Sequence, residues 1–390
     1  MAHDKFHSIV HRAEGLWDRA RFHAKRATGL LGTPILLAYR GFQTPDGLWL
    51  RGRVIEDQGV ISAEHTESIL GNVWLSLKRY ETDEIRGARI AYSAGGVTGE
   101  VTTDEEGYFD LTIEHPARSE AAPWLPVELI LIDAPYYDLR PLGAKAEIRV
   151  VSPKARFGVI SDIDDTIVKT GATNFLKHWR TVAANSARSR TAFPGVTHLY
   201  RALAEGEAGP QTNPIFYVSS SPWNLFDLFE RFMVLHDIPL GPMLLKDFGL
   251  DATKWLTGGH DDHKLKMIER IISAHPRLSF VLIGDSGQRD AVIYAEAARR
   301  YPGRVLAVYI RDVTGGHLAE EADEGVSALQ RAGIPVTVAP TLETAAHQAA
   351  EAGLARSSVI GEVRAAIEQR RREEGDSEDS AGDSQETSRS

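Results

Sequence analysis

The chain has 390 residues, 43% of them hydrophobic and 25% charged, and a formal net charge of −10. That length favours two domains plus tails, that composition a soluble globular protein, and the acidity argues against a nucleic-acid partner. With no cysteine, disulfides and thiolate metal sites are excluded, so any metal must sit on oxygen or imidazole.

Residues 1–32 read as an amphipathic helix, because Phe6, Ile9, Val10, Ala13, Leu16, Trp17 and Ala20 recur at three- and four-residue steps. Its polar face is basic, which leaves two readings open: packing on its own domain, or contact with a membrane surface. It lacks the apolar core of a secretory signal, and no run in the sequence is long enough to span a bilayer. The expected location is cytoplasmic, with peripheral membrane contact left open.

From 33 to 152 the texture changes to short runs: ILLAYRGF, LWLRGRVI, VWLSLKRY, YFDLTI, VELILID and AEIRVV. Gly, Pro and Asp punctuate them at regular spacing, which predicts an antiparallel, β-sandwich-like accessory domain. The stretch Thr103–Phe109 is expected to be a hairpin turn. No acid/base constellation stands out, so this domain is assigned binding, positioning or stabilising work.

Ser152–Pro153–Lys154 marks a linker. From 153 to 345 apolar strand runs alternate with helical patterns, near 196–205, 225–236, 264–274 and 291–301. Strands that read as continuous Val/Ile/Phe runs between helices predict an α/β domain, a parallel sheet with helices on both faces. Ligands of such sheets bind outside the carboxyl ends of the strands. A helical region is expected over 346–369 and a disordered, acidic, Ser-rich tail over 370–390.

Three strand ends carry chemistry. In VISDIDDT a buried strand runs into Asp162 and Asp164, two carboxylates able to face one crevice, with Thr166 beyond. Their mutual repulsion calls for a hard cation such as Mg²⁺. One carboxylate can attack phosphorus while the second moves the proton. In IFYVSSSP a strand ends on Ser219 and Ser220, with Pro222 expected to start a helix; hydroxyls and N–H groups there suit a phosphate oxygen. In FVLIGDSGQRD a Gly-rich turn holds Asp285 and Asp290, a second hard-cation pair. Between the last two lies Lys264, placed to balance phosphoryl charge, with Lys266 as the competing residue.

In their order these motifs resemble the haloacid dehalogenase-type (HAD) phosphatase superfamily, over roughly residues 155–312. The text SDIDDTI, YVSSSPWNL, HK and LIGDSGQRD is similar, more narrowly, to phosphatidate phosphatases of the actin-patch-protein type and their bacterial relatives. The narrower pattern includes Asp165 and often has Asn where this chain has Ser220. The resemblance implies a HAD-like Rossmannoid fold, Asp162 as nucleophile, Asp164 as general acid/base and Lys264 as charge-balancing lysine. It further implies that Thr166, Ser219, Ser220 and Lys264 bind phosphate, and that Asp162, Asp164 (through its carbonyl), Asp285 and Asp290 hold Mg²⁺.

The gaps between motifs are too short for a full cap domain, so an open site is expected. The basic stretch Lys177, Arg180, Arg188 and Arg190 could meet anionic headgroups or be a solvated face. The function expected is hydrolysis of phosphatidate or a related lipid phosphomonoester. A protein or nucleic-acid phosphate is one alternative, a non-catalytic lipid- or protein-binding module the other. The sequence is silent on protein partners.

Overall fold

A computed structural model describes residues 32–57, 84–114, 123–137, 139, 142–164, 166–167, 192–246 and 260–386. The helix read at the N-terminus, the run VWLSLKRY, Asp165 and the basic stretch Lys177–Arg190 lie outside the described residues.

The first half of the chain supplies eight strands: β1 (Thr33–Ala38), β2 (Gly41–Thr44), β3 (Gly47–Asp57), β4 (Arg89–Ala94), β5 (Val97–Thr102), β6 (Tyr108–Ile113), β7 (Trp124–Asp133) and β8 (Leu142–Arg149). They join in one sheet of order β1-β3-β2-β8-β7-β4-β5, with β6 on β3. Every ladder is antiparallel except β2 with β8. Alternation sets the faces: along β7, Val127, Leu129 and Leu131 are buried while Glu128, Ile130 and Ile132 are exposed. The turn at Thr103–Phe109 forms, but it is not that of a hairpin. Asp104 Oδ1 accepts the N–H groups of Glu106 and Tyr108 at 2.9 and 2.8 Å, and Gly107 takes a φ of 73°. Its flanking strands then pair elsewhere, β5 with β4 and β6 with β3. Strand β4, RIAYSA, was not among the runs singled out, since Arg89 and Ser93 break its apolar texture.

The second half is mixed α/β around a six-stranded sheet whose ladders are all parallel. Its strands are β9 (Gly158–Asp162), β10 (Ile215–Pro222), β11 (Met243–Lys246), β12 (Phe280–Asp285), β13 (Val305–Arg311) and β14 (Val336–Ala339). Its helices are α1 (Val196–Ala204), α2 (Phe226–Leu235), α3 (His260–Ala274), α4 (Asp290–Arg300), α5 (Glu320–Arg331), α6 (Glu343–Glu351) and α7 (Val359–Glu386). Pro222 ends β10 rather than starting a helix; a 3-10 turn, Trp223–Leu225, leads into α2. Strands β9, β11 and β12 are buried at every position, as their continuous apolar runs require.

The strand order is β11-β10-β9-β12-β13-β14. The chain winds outward from β9 through β10 to β11, then returns to the other side of β9 and winds outward again. The reversal lies between β9 and β12, where the carboxyl ends of adjacent strands splay into a crevice.

The helix expected to end at 369 continues, as α7, to Glu386, through the stretch expected to be disordered. Good helix formers in VRAAIEQRRREE, with the spaced pairs Arg372–Glu368 and Arg370–Glu373, carry the helix past 369 to about Glu374; nothing in GDSEDSAGDSQE accounts for the rest. Among the described residues no helix is long and apolar enough to cross a membrane.

The two halves share a core. Tyr39, Phe42, Trp49 and Tyr108 belong to the same buried cluster as the parallel sheet. Tyr39 stacks on Trp223 at 4.8 Å, Phe42 meets Phe216 edge-on at 5.9 Å, and the Arg270 guanidinium covers Trp49 at 3.9 Å. Polar contacts frame these rings: Arg53 donates to Asn224 at 2.8 Å and Arg40 to Glu230 at 2.7 Å.

His275 sits inside this junction, against Phe42 and Phe216. Its Nδ1–H donates to the Ile271 carbonyl at 2.8 Å, while Nε2 is buried without a hydrogen-bond partner. Burial, with Arg304 and Arg149 nearby, pulls the imidazole down to about 4. The unfolded chain therefore binds a proton between about pH 6.5 and 4 that the folded one refuses, so stability falls as pH falls through that window. Urea unfolding at stepped pH should show a loss on the order of 3 kcal/mol from this group, missing in His275→Gln. Parallel pH curves for both proteins would rule the histidine out.

Candidate active site

Each motif sits where the reversal needs it. Asp162 is the last residue of β9 and Asp285 the last of β12, its neighbour. Asp290 opens α4, where the helix N-terminus favours a carboxylate. Lys264 reaches in from the first turns of α3. Gly284 is required by this closeness: a Cβ there would stand 2.2 Å from Asp290 Oδ2.

Lys264 is the hub of the cluster. Its Nζ lies 2.7 Å from Asp162 Oδ1 and also bonds Asp290 Oδ1, with all three side chains buried. Lys266, the competing residue, is exposed and takes no part in this cluster. The second oxygen of Asp290 accepts the Asp285 N–H at 3.1 Å. Asp285 Oδ1 accepts the N–H groups of Gly287 and Gln288 at 2.7 and 2.9 Å, the Gly-rich turn folding back on it. The Thr166 hydroxyl donates to Asp162 Oδ2 at 3.2 Å.

Asp164 is held separately. Its Oδ2 accepts the Ser219 hydroxyl at 2.5 Å and the Ser221 hydroxyl at 3.0 Å, while Ser219 Oγ accepts the Ser221 N–H at 2.9 Å. Ser220, between them, is half-buried. Sequence reasoning missed Ser221, although the run of three serines carried the signal. It also missed Gln288, whose side-chain amide donates to the Asp164 carbonyl at 3.3 Å. A third omission, Tyr200, stands 2.7 Å from Ser161 Oγ, which donates to the Asp162 carbonyl at 2.7 Å. Nothing near the motifs in sequence announces it, because it arrives from α1.

The electrostatics are those of a site short of positive charge. Burial pushes Asp162 well above the usual carboxylate range; Lys264 opposes this, and Asp290, Asp285 and Asp164 reinforce it. Asp285 is pushed up to about 7 by burial and by Asp290, and Asp290 is raised by burial against the pull of Lys264. Burial would lower Lys264, but Asp162 and Asp290 outweigh it and hold the ammonium charged.

A hard cation fits this imbalance. Ligand oxygens of Asp162, Asp285 and Asp290 lie within 4.8 Å of one another. Opposite oxygens on Mg²⁺, at ~2.0–2.1 Å each, stand only slightly closer. Asp285 Oδ2 is buried with no hydrogen-bond partner, an acceptor that such an ion would satisfy. The Asp164 carboxylate is not part of this cluster. All the motif side chains except Ser220 are buried. Of the gaps on which an open site was expected, 166–219 and 219–264, the parts 168–191 and 247–259 lie outside the described residues.

Residues 157–312 match the family model described as phosphatidate phosphatase APP1, catalytic domain. This segment is similar to the phosphatidate-phosphatase catalytic type. It spans β9 to β13 and contains every motif residue, in agreement with the resemblance read from the sequence. Phosphatidate phosphatase APP1 of Saccharomyces cerevisiae is 32% identical over 172 residues, 44% of this chain and 28% of the relative. An uncharacterized protein of Schizosaccharomyces pombe is 27% identical over 214 residues, 55% of this chain and 34% of the relative. The chain thus matches about a third of the length of these curated relatives. A carbohydrate acetylesterase from Xanthomonas citri aligns over 80% of this chain and 69% of its own at 12% identity. Its TM-score of 0.26 is too low to argue a shared fold.

If the acidic cluster holds a divalent ion, Mg²⁺ should raise the melting temperature and EDTA should reverse the gain. At a hundredfold excess over Kd the gain should be about 2–3 kcal/mol. Asp285→Asn should melt at the same temperature with and without Mg²⁺. A variant that kept the full response would show that the ion binds elsewhere.

Proposed function

We propose that this chain is a Mg²⁺-dependent phosphoric monoester hydrolase acting on phosphatidate or a related lipid phosphomonoester. The observation that carries the reading is the buried Asp162–Lys264–Asp290 knot beside Asp285, at the strand-order reversal. It lies within the segment similar to the catalytic domain of phosphatidate phosphatase APP1.

In the proposed reaction Asp162 attacks phosphorus, forming an aspartyl-phosphate as the bond to the ester oxygen breaks. Asp164 gives its proton to the departing oxygen, then takes one from the water that attacks phosphorus and frees Asp162. Thr166, Ser219 and Ser220 are assigned to phosphate oxygens, with Lys264 keeping Asp162 anionic and offsetting phosphoryl charge. Mg²⁺, held by Asp162, Asp285, Asp290 and the Asp164 carbonyl, would shield the like charges that meet there. Ser221 and Gln288 fit a supporting part, since they orient the side chain and the carbonyl of Asp164.

The fold reading that goes with this is a HAD-like Rossmannoid domain over 153–345, preceded by a sandwich-like accessory domain over 33–152. Its support is the order β11-β10-β9-β12-β13-β14. Right-handed crossovers on either side of the reversal would put helices on both faces. A cytoplasmic location with peripheral access to lipid belongs to the same proposal.

Phosphate release from phosphatidate micelles, beside a soluble aryl phosphate, tests the reading in Mg²⁺ and in EDTA. Release from the lipid should need the metal and fall by roughly 10³-fold or more in Asp162→Asn. Release from the soluble ester alone would discard the lipid and keep the chemistry. Lipid binding without any release would favour the non-catalytic module.

A further inference from the structure

Tyr200 and Ser161 are fully buried polar residues that the proposed reaction does not use. Tyr200 lies on the stripe Val196, Leu199, Tyr200 and Leu203 that α1 turns to the core, at the three- and four-residue steps of one helix face. Its hydroxyl stands 2.7 Å from Ser161 Oγ, and Ser161 Oγ donates to the Asp162 carbonyl at 2.7 Å. A serine hydroxyl has one proton to give, and Ser161 spends it on that carbonyl, so the phenol is the donor in the first bond. Burial pushes the phenol above its ordinary value, so it keeps the proton it donates.

This chain of bonds reaches Asp162 at the point where the sheet lets go of it. The β9–β12 ladder ends on the pair Ser161–Ile283, one residue short of Asp162, and the β9–β10 ladder ends on the pair Asp162–Val218. The carboxylate is fixed at its tip, by Lys264 on Oδ1 and by the Thr166 hydroxyl on Oδ2. Tyr200, through Ser161, fixes the main chain from which that side chain leaves. A side chain clamped at both ends keeps one direction, whereas one held only at its tip can rock about its base. The end of β12 is treated alike: the buried Tyr294 hydroxyl, from α4, donates at 2.8 Å to the carbonyl of Ile283, two residues before Asp285.

We infer that Tyr200 is a positioning residue for Asp162, acting through Ser161 and the Asp162 carbonyl to aim the carboxylate at phosphorus. The inference rests on the reading of Asp162 as the nucleophile. A displacement of about 1 Å at an attacking group can cost on the order of a hundredfold in rate. The groups assigned to phosphate oxygens are untouched by Tyr200, so its loss should appear in kcat and not in KM.

Tyr200→Phe removes the hydroxyl and keeps the ring, Ser161→Ala removes the link, and the double change removes both. In the full chain with Mg²⁺, on whichever ester wild type hydrolyses, Tyr200→Phe should lower kcat by roughly ten- to a hundredfold and leave KM within about twofold. Residues in series act as a unit, so the double variant should be no slower than Ser161→Ala alone. Tyr217→Phe is the control for a purely structural loss. It deletes an equally buried hydroxyl, bonded to the Pro239 carbonyl at 2.6 Å, and should keep the wild-type kcat even where its melting temperature falls. An unchanged kcat in Tyr200→Phe, an equal fall in Tyr217→Phe, or losses that multiply in the double variant would each overturn the inference.

Crystal structures of wild type and Tyr200→Phe read the position without turnover. In the variant the Asp162 carboxylate should leave the Lys264 ammonium or divide between rotamers. If wild type hydrolyses no ester, the nucleophile reading falls, and this pair of structures decides alone whether Tyr200 sets the side chain. The same single rotamer in both would overturn the inference.

Discussion

A single buried ammonium holds the centre of this molecule. Lys264 comes from α3, Asp162 from the end of β9 and Asp290 from the start of α4, and they meet where water is excluded. Separating such charges would leave at least one desolvated and unpaired, at a cost of about 3–5 kcal/mol. The three elements are therefore pinned to one another at the point where the strand order reverses. Carboxylates crowded by burial are poor anions, and one lysine does not neutralise the three of Asp162, Asp285 and Asp290. What stabilises the fold there also leaves the site wanting a further positive charge.

The accessory sheet is bound to this centre through aromatic side chains rather than a hinge. Tyr39 and Phe42 lie against Trp223, Phe226 and Phe216. Phe216 belongs to β10, which also carries Ser219 and Ser221 to Asp164. Packing at the amino-terminal end of that strand and hydroxyls at its carboxyl end are linked by a few residues of rigid backbone. The sheet thus acts on the site by fixing a strand, with no acid or base of its own required.

Much of this arrangement could be read from the sequence, for a physical reason. Strands buried on both faces must be apolar throughout, so VISD and FVLIGD announce themselves, and their polar endings mark the crevice. What the sequence concealed was long-range. Tyr200 enters from α1, and nothing local says that its hydroxyl meets Ser161. The aromatic junction was invisible because Phe42 and Trp49 look like ordinary strand residues. Periodicity predicted the turn at Asp104, but pairing partners are chosen by the whole sheet, and β5 and β6 went to different neighbours. Past 369, helix propensity and spaced charge pairs carry α7 on to about Glu374 despite low apolar content.

The continuous core across the two halves bears on where the chain can be cut. A fragment beginning at 153 would keep every motif, yet it would turn Phe216, Trp223, Phe226 and His275 out to solvent. A bared aromatic patch of that kind invites self-association. In this protein the smallest well-behaved unit is accordingly larger than the smallest unit that carries the chemistry.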